Sequence, residues 1–477
     1  MKTVHAEGRY LEKENANTIE LIEILFRLNS VYSSGKEEYQ LDSATKAPFF
    51  FDINSVASFP YFRDVFVETL TALFNKLIHA ASGIPVIAAA GHSGIPFAAL
   101  VSEKLKLPMV YVRESSKKHG KKNMIEGSLK SGSECIIFTE CLSSFSKVEN
   151  IIVALEECGA EVKGIATFIN MESKSYYETG SSGSSLIRSA DSGSAGIAGS
   201  NPGSSLAGKR IPVGSAATLE DIAEYAASSP SISSKVSDMF HNWNKAASSA
   251  HPAPDNGISG LTDSENKAAE VLLEIKAVAL SVSAPFRYAS GILSPVYCDN
   301  RLMISSPEKW DIIIKILEDI IRSKIGLENI EVIAGTSTAG IPHASRLASK
   351  LALPLIYVKS ENGINGKKSC IEGTLFYGKR VLVVEDLVST GKSSIEAVRI
   401  LRQHGAAVEN CAAIFTYQMK SAEKIFNDEN CSLYCASNFS AMIKTAVTNK
   451  YISNNDAEIA VSWNMDPENW GKTHGYE

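Results

Sequence analysis

The 477-residue chain has little of three features that would each have indicated a class of protein. No apolar run approaches the roughly 18 residues of a membrane span, and no apolar signal segment follows Met1. The formal net charge of −6 provides no basic field that would attract nucleic acid. The only close pair among the eight cysteines, Cys431 and Cys435, has no second pair to complete a zinc site. We therefore expect a cytoplasmic protein with free thiols and with neither a nucleic-acid nor a membrane partner.

The sequence does contain an internal repeat, which changes how its length is interpreted. The segment from Tyr111 to Gly127 aligns without gaps with the segment from Tyr357 to Gly373, 246 positions later. The same spacing pairs Gly94-Ile95-Pro96 with Gly340-Ile341-Pro342. The chain therefore consists of two related halves rather than one large unit.

Low-complexity stretches mark the predicted domain boundaries. Residues 246–260 combine small residues with two prolines, which is typical of a linker, so we predict domains over 1–245 and 261–477. A Gly/Ser-rich insertion at about residues 179–208 has no counterpart in the second repeat, and its composition predicts a flexible loop.

Apolar periodicity predicts an α/β fold for each repeat. Short runs rich in β-branched residues predict strands at 332–334, 355–358, 381–384 and 412–415. Helical patterns at 341–351 and 394–404 lie between them, and Gly405 is expected to end the second helix. Strands alternating with helices predict a mostly parallel sheet flanked by helices, whose ligands bind at the carboxyl ends of the strands.

A string that favours phosphate binding follows the third of these predicted strands. It consists of Glu385, Asp386, Leu387, Val388, Ser389, Thr390, Gly391, Lys392 and Ser393. A glycine in the turn lets backbone amides converge on a phosphate, and the following helix places its positive N-terminus there. Paired acids can hold ribose hydroxyls or, through water, Mg²⁺. The alternative, a polar strand end with a capped turn, fits two acids alone better than it fits the whole string.

This string resembles the phosphoribosyl-diphosphate signature of the type I phosphoribosyltransferases. Residues 286–301 resemble the amino-terminal segment of the orotate phosphoribosyltransferases, and residues 333–344 are similar to the next glycine-rich loop of that family. The resemblance implies two tandem type I phosphoribosyltransferase-like domains, of which the first is degenerate. It also implies a Mg²⁺-dependent enzyme of pyrimidine biosynthesis that forms orotidine 5′-monophosphate and diphosphate from orotate and 5-phosphoribosyl 1-diphosphate.

The two repeats have each lost a different part of the family's site. The family implies a dimer in which a mobile loop with the pattern Arg-x-x-x-Lys-x-His-Gly covers the partner's phosphate loop. Only the first repeat has this pattern, in Arg113, Lys117 and His119, whereas Phe145 replaces the phosphate-loop glycine there. We therefore expect the repeats to pair as an intramolecular pseudo-dimer with one composite site, although independent decay of two redundant halves would give the same pattern.

The resemblance also implies a role for each candidate residue. Arg113, Lys117 and His119 would face the departing diphosphate and act with Asp386 as the catalytic set. Glu385 and Asp386 would hold the ribose hydroxyls, and Ser389 through Ser393 the 5′-phosphate, with Ser389 also in a position to contact the orotate. Arg301 is expected either to bind the orotate carboxylate or to form a structural ion pair, and no residue is assigned as a direct metal ligand.

Two other functions remain open at the level of the sequence. One is a non-catalytic protein that senses the ribosyl donor or acts as a scaffold, and the other is a phosphoribosyltransferase for another base. Retention of the cations in the mobile loop favours an enzyme, because a sensor has no need of leaving-group chemistry.

Overall fold

The computed structural model describes residues 17–33, 39–40, 46–47, 49–113, 124–143, 146–171, 176–178, 210–219, 221–222, 261–288, 291–359 and 370–476. The expected linker at 246–260 and the Gly/Ser-rich insertion at 179–208 lie outside these ranges, as do Lys117, His119 and Phe145. None of the helices within the described ranges is both long and apolar enough to cross a membrane.

The first repeat is built on a seven-stranded sheet. Its elements are α1 (17–27), β1 (Val31–Ser33), β2 (Tyr39–Gln40), β3 (Lys46–Ala47), β4 (Phe49–Phe51), a 3-10 helix (Ile53–Ser58), α2 (Pro60–Ile78), β5 (Val86–Ala90), α3 (Gly91–Leu105), β6 (Met109–Val112), β7 (Ile125–Glu126), β8 (Glu134–Leu142), α4 (Ser146–Glu157), β9 (Glu161–Asn170), β10 (Tyr176–Glu178) and β11 (Arg210–Thr218). The strand order is β10-β11-β9-β8-β5-β6-β7. Only the outer strands β10 and β7 pair antiparallel with their neighbours.

The second repeat is built on a six-stranded sheet of the same design. Its elements are α5 (Leu261–Glu274), β12 (Val278–Leu280), β13 (Phe286–Arg287), β14 (Leu293–Ser294), β15 (Val296–Cys298), a 3-10 helix (Asn300–Ser305), α6 (Pro307–Ile320), a π-helical turn (Ile321–Ile325), a 3-10 turn (Leu327–Asn329), β16 (Val332–Thr336), α7 (Ile341–Lys350), β17 (Leu355–Val358), β18 (Ile371–Glu372), β19 (Arg380–Val388), α8 (Lys392–Gln403), β20 (Ala407–Thr416), α9 (Lys420–Asp428), β21 (Ser432–Asn438), α10 (Phe439–Thr448), α11 (Asn454–Met465) and α12 (Trp470–Thr473). The order is β18-β17-β16-β19-β20-β21, with β18 alone antiparallel. The predicted fold class is therefore confirmed.

Strand β19 is longer than the sequence indicated. The predicted strand at 381–384 extends through the acids to Val388, because the parallel ladder with β20 continues to the pair Val388 and Thr416. Glu385 and Asp386 are therefore held in a hydrogen-bonded strand rather than in a loop. This fixes their backbone at the carboxyl edge of the sheet.

Both faces of each sheet are buried, which explains why the strands are continuous apolar runs. Along β5, Ile87 and Ala89 face a core that is shared by both repeats, whereas Val86 and Ala88 face a separate core beneath α4. The second sheet divides its side chains in the same way, with its outer core beneath α8 and α9. One continuous hydrophobic core thus joins the two repeats.

Matching hydrogen bonds cross between the repeats in both directions. Ser58 and Ser305 occupy equivalent positions, each as the last residue of the 3-10 helix that precedes α2 or α6. Ser58 Oγ donates to the carbonyl of Leu355 (2.9 Å), and Ser305 Oγ donates to the carbonyl of Met109 (2.9 Å). Ser58 Oγ also accepts from the backbone amide of Thr374, just after β18, at 2.7 Å. In the same way Ser305 Oγ accepts from the backbone amide of Ser128, just after β7, at 2.7 Å. The same surface of each repeat therefore contacts the other.

Two further cross-repeat contacts involve buried or half-buried polar side chains. Arg63, which is 1% exposed, donates to the carbonyls of Leu353 (2.8 Å) and Ala348 (3.3 Å). His92 Nε2 lies 2.9 Å from Thr338 Oγ1. His92 and Thr338 are equivalent positions of the two repeats, so this contact joins like elements to each other.

Candidate active site

Glu385 is a buried carboxylate near the carboxyl end of β19, with 5% of its surface exposed. Its Oε1 accepts from Thr336 Oγ1 (2.6 Å) and from the backbone amide of Asp386 (3.1 Å). Its Oε2 accepts from Ser394 Oγ (3.2 Å). Both oxygens are engaged by protein donors, so this side chain joins β16, β19 and α8 at the sheet edge.

Asp386 is the more exposed acid of the pair. Burial, together with the charge of Glu385, raises the pKa of Asp386 well above its usual range, while Arg301 opposes the shift. Asn300 Nδ2 donates to the Asp386 carbonyl (2.6 Å), which fixes its backbone against the segment after β15. Of the two carboxyls, Asp386 is the one that a ligand at this edge can reach.

The turn after β19 leads directly into α8. Gly391, the N-cap of α8, has φ +79°, and a Cβ there would lie 2.9 Å from Ile425 Cγ2 and 3.0 Å from Phe426 Cε2. No side chain caps this helix. Ser389 and Lys392 are exposed, so the positive N-terminus of a 12-residue helix is open to an anion.

The glycine-rich loop after β16 packs closely against the same edge. A Cβ on Gly340 would lie 2.5 Å from the Val384 carbonyl, so only glycine allows this approach. The peptide bond between Ser337 and Thr338 is cis. Ser337 Oγ is buried and has no hydrogen-bond partner among the described residues, which leaves a donor for a bound ligand.

The first repeat contributes charged side chains to this same region. Arg113, which opens the predicted mobile loop, donates from Nε to Glu126 Oε1 (2.8 Å). Glu126 also forms an ion pair with Arg301 of the second repeat, and Arg301 Nη2 donates to Asp299 Oδ2 (2.7 Å). Arg113 therefore lies beside residues of the opposite repeat.

The same neighbours perturb the titration of Tyr111 and Arg301. Burial raises the pKa of the Tyr111 hydroxyl, and the charges of Glu126 and Asp386 raise it further. Although burial lowers the pKa of Arg301, its hydrogen bond to Asp299 and the charge of Glu126 raise it above the usual value. Tyr111 belongs to the first repeat and Asp386 to the second, so the two repeats form one electrostatic environment.

The equivalent positions with the two repeats exchanged hold only part of this arrangement. Lys359 Nζ and Glu372 Oε1 are 2.6 Å apart and correspond to Arg113 and Glu126. The counterpart of Arg301 is Asn54, whose Oδ1 is buried without a hydrogen-bond partner within the described ranges. The cross-repeat ion pair is therefore absent where Asn54 replaces the arginine.

The structure brings together Arg113, Arg301, Glu385, Asp386 and the turn at 389–393 from the predicted set. Lys117 and His119 lie outside the described residues. Sequence reasoning missed four contributors: Tyr111, Glu126, Asn300 and Thr336. A signal existed for Glu126, because Ile-Glu-Gly ends the repeated string in both halves.

No group of three or more His, Cys, Asp or Glu residues within the described parts of the chain is arranged to hold a metal ion. Asp386 is the accessible carboxyl at this edge, because both oxygens of Glu385 accept hydrogen bonds from protein donors.

Comparison with known proteins identifies relatives of the second repeat. A sequence model of the phosphoribosyl transferase domain matches residues 304–447. Over the C-terminal half, an orotate phosphoribosyltransferase of Coxiella burnetii is 46% identical across 202 residues, which cover 42% of this chain and 96% of the relative. One from Staphylococcus saprophyticus is 48% identical across 195 residues, covering 41% of this chain and 95% of the relative.

Among solved structures, an orotate phosphoribosyltransferase from Aeropyrum pernix is 25% identical, with a TM-score of 0.34. The matched region spans 39% of the present chain and 99% of the Aeropyrum pernix chain.

Proposed function

The chain belongs to the orotate phosphoribosyltransferase family, and we propose that it forms orotidine 5′-monophosphate and diphosphate from orotate and 5-phosphoribosyl 1-diphosphate at one site built from both repeats. The observation that carries this proposal is the position of Arg113. Through Glu126 it is connected to Arg301, whose charge acts on Asp386 of the other repeat. The leaving-group cations and the ribose-binding acids thus come from different halves.

We propose further that the repeats pair as an intramolecular pseudo-dimer. The reciprocal contacts of Ser58 and Ser305 support this, because a twofold interface uses the same patch on both partners. The contact of His92 with its own counterpart, Thr338, is the arrangement expected next to such an axis. The equivalent site on the other side of the axis would have Lys359 in place of Arg113 and Asn54 in place of Arg301, and we expect no catalysis there.

The second repeat would bind the donor. Residues 389–393 and the N-terminus of α8 suit the 5′-phosphate, since open backbone amides and the helix dipole favour an anion. Asp386 suits the ribose hydroxyls, while Glu385 holds the strand end in place through Thr336 and Ser394. The buried hydroxyl of Ser337 would donate to the diphosphate.

The reaction is displacement of diphosphate from the anomeric carbon by a pyrimidine ring nitrogen. Positive charge develops on the ribose and negative charge on the departing diphosphate, so preorganised cations lower the barrier. Arg113, Lys117 and His119 would supply those cations from the first repeat. Closure of the loop that carries them would exclude water, which could otherwise hydrolyse the donor.

We propose Mg²⁺ as the cofactor, carried in with the donor rather than held in a protein cage. Of the paired acids, Asp386 is the one that would approach the ion through water, because both carboxylate oxygens of Glu385 accept hydrogen bonds from protein donors. When bound, the ion would neutralise charge on the diphosphate.

Arg301 has two possible roles, and its contacts favour the structural one. Its guanidinium is already engaged by Asp299 and Glu126, so binding the orotate carboxylate would require it to exchange a partner. We also propose a cytoplasmic location, because all eight cysteines are free and a reducing compartment keeps them so.

The test is orotidine 5′-monophosphate formation from orotate, donor and Mg²⁺ by the intact chain, by Lys117→Ala, by Asp386→Ala and by an equimolar mixture of the two variants. We expect turnover by the intact chain and a loss on the order of 100-fold in each variant. Glu140→Ala, which changes the counterpart of Asp386 in the first repeat, is the matched control and should retain full activity.

The mixture distinguishes where the site forms. No recovery in the mixture is expected if the site lies within one chain, whereas recovery would locate it between chains. Donor binding by the intact chain without any product would reject the enzyme and favour a sensor of the donor.

A further inference from the structure

Glu126 is the only described side chain that pairs with a cation from each repeat at the candidate site. It is 6% exposed, accepts from Arg113 Nε at 2.8 Å, and forms an ion pair with Arg301. Arg301 is in turn held by Asp299. Two guanidinium groups and two carboxylates therefore form a balanced cluster at the boundary between the repeats.

This cluster is specific to one side of the molecule. Glu372, the counterpart of Glu126, pairs with Lys359 at 2.6 Å. Asn54 takes the place of Arg301, and no second cation among the described residues pairs with Glu372 across the boundary. The second cation, Arg301, is therefore present in the repeat that also retains the phosphate-loop glycine, Gly391.

We propose that Glu126 is a positioning residue of the proposed reaction, one that fixes Arg113 of the first repeat and Arg301 of the second in register at the composite site. The inference rests on the proposed function. Glu126 does not need to touch a substrate for this role. It acts by keeping two like charges, those of Arg113 and Arg301, close together.

The energetic reason is the cost of unbalanced charge in a largely buried cluster. Removal of one partner from a buried ion-pair network leaves a charge without compensation. With glutamine at 126, two guanidinium groups would face a single carboxylate, and Arg113 would move away from Arg301. Misplacement of a catalytic group by about 1 Å can cost on the order of 100-fold in rate.

The experiment compares Glu126→Gln with Glu372→Gln, the same change at the mirror-related position. In Glu126→Gln we expect kcat to fall about 10- to 100-fold, with KM for orotate changed less than about twofold, because Arg113 acts on the departing diphosphate. Glu372→Gln should keep kcat within about twofold of the wild type. Thermal melting of both variants reports any loss of folded protein.

Several results would overturn the inference. One is a kcat within twofold of the wild type in Glu126→Gln, and another is an equal fall in both variants. If Glu126→Gln does not fold, Glu126→Asp becomes the test. A lowered kcat at an unchanged melting temperature supports positioning, and wild-type kinetics reject it. Absence of product from the wild type itself would instead overturn the proposed function.

Discussion

The two repeats share a fold but differ in which parts of the site they keep. The first repeat retains the cations of the mobile loop, and the second retains Gly391 at the start of α8. Their sheets nevertheless match strand for strand around the parallel core β6-β5-β8-β9 and β17-β16-β19-β20. Apolar strands therefore preserve the fold in both halves, while the differences fall on a few loop and strand-end residues.

The same comparison applies to the boundary between the repeats. Ser58 and Ser305 make matching contacts, as an inherited twofold surface would. Arg301 and Asn54 differ, and only Arg301 forms a cross-repeat ion pair. The boundary therefore combines matching contacts, such as those of the two serines, with contacts that only one side makes, such as those of Arg63 and Arg301.

The largest expected effect comes from exchanging the phosphate-loop residues. Gly391→Phe gives the second repeat the residue of the first, and it should lower kcat/KM for the donor on the order of 100-fold or more. The reason is that φ is +79° and a Cβ would lie 2.9 Å from Ile425 Cγ2. Steady-state kinetics and donor titration measure the loss.

Phe145→Gly is the reciprocal control and should leave the rate unchanged, since the second repeat has Lys359, Gly363 and Asn365 in place of the Arg, Lys and His of the loop pattern. A gain in activity from Phe145→Gly would mean that the first repeat still has a usable site.

A smaller effect is expected on acid stability at the contact between His92 and Thr338. Burial, and then the charges of Lys359 and Arg113, lower the pKa of His92 to about 4, while Glu372 opposes the shift. An unfolded histidine titrates near 6.5, so the stability that depends on neutral His92 is complete above that pH. It is lost as the pH falls towards 4, by about 3 kcal/mol.

Chemical denaturation of the wild type and of His92→Gln between pH 7 and pH 4.5 measures this dependence. Glutamine keeps a polar group for Thr338 but does not titrate, so the curve of the variant should be flatter. Parallel curves would show that His92 does not account for the acid sensitivity.

The smallest effects are expected from Ser58→Ala and Ser305→Ala. Each removes two cross-repeat hydrogen bonds and should lower the free energy of unfolding by about 1 to 2 kcal/mol. The two losses should be nearly equal if the boundary is symmetric. A clear inequality in denaturant midpoints would indicate that one side of the boundary carries more of the stability.

Much of the second repeat was predictable because its signals are local. The strands expected at 332–334 and 355–358 are observed as Val332–Thr336 and Leu355–Val358, and the helix expected at 394–404 as Lys392–Gln403. Gly405 follows that helix at φ +86°. Buried β-branched runs and a left-handed glycine leave few alternatives for the chain.

The site was predictable only as far as its motifs extend. The acids and the turn at 389–393 are contiguous, so their association follows from the chain itself. The ion pair of Glu126 with Arg301 joins residues that are far apart in sequence. The segment that contains Arg113 and Glu126 gives no sign that a second cation will come from the other repeat. The edge strands β7 and β18 were missed because two residues carry no periodicity.

Both repeats belong to one polypeptide, and this affects how the protein responds to dilution. Two separate subunits that share a site come apart below their dissociation constant, and the site is lost with them. Here the hydrogen bonds of Ser58, Ser305 and Arg63 connect segments of the same polypeptide, so their association is intramolecular. The encounter between the halves is therefore independent of how much of the protein a cell makes.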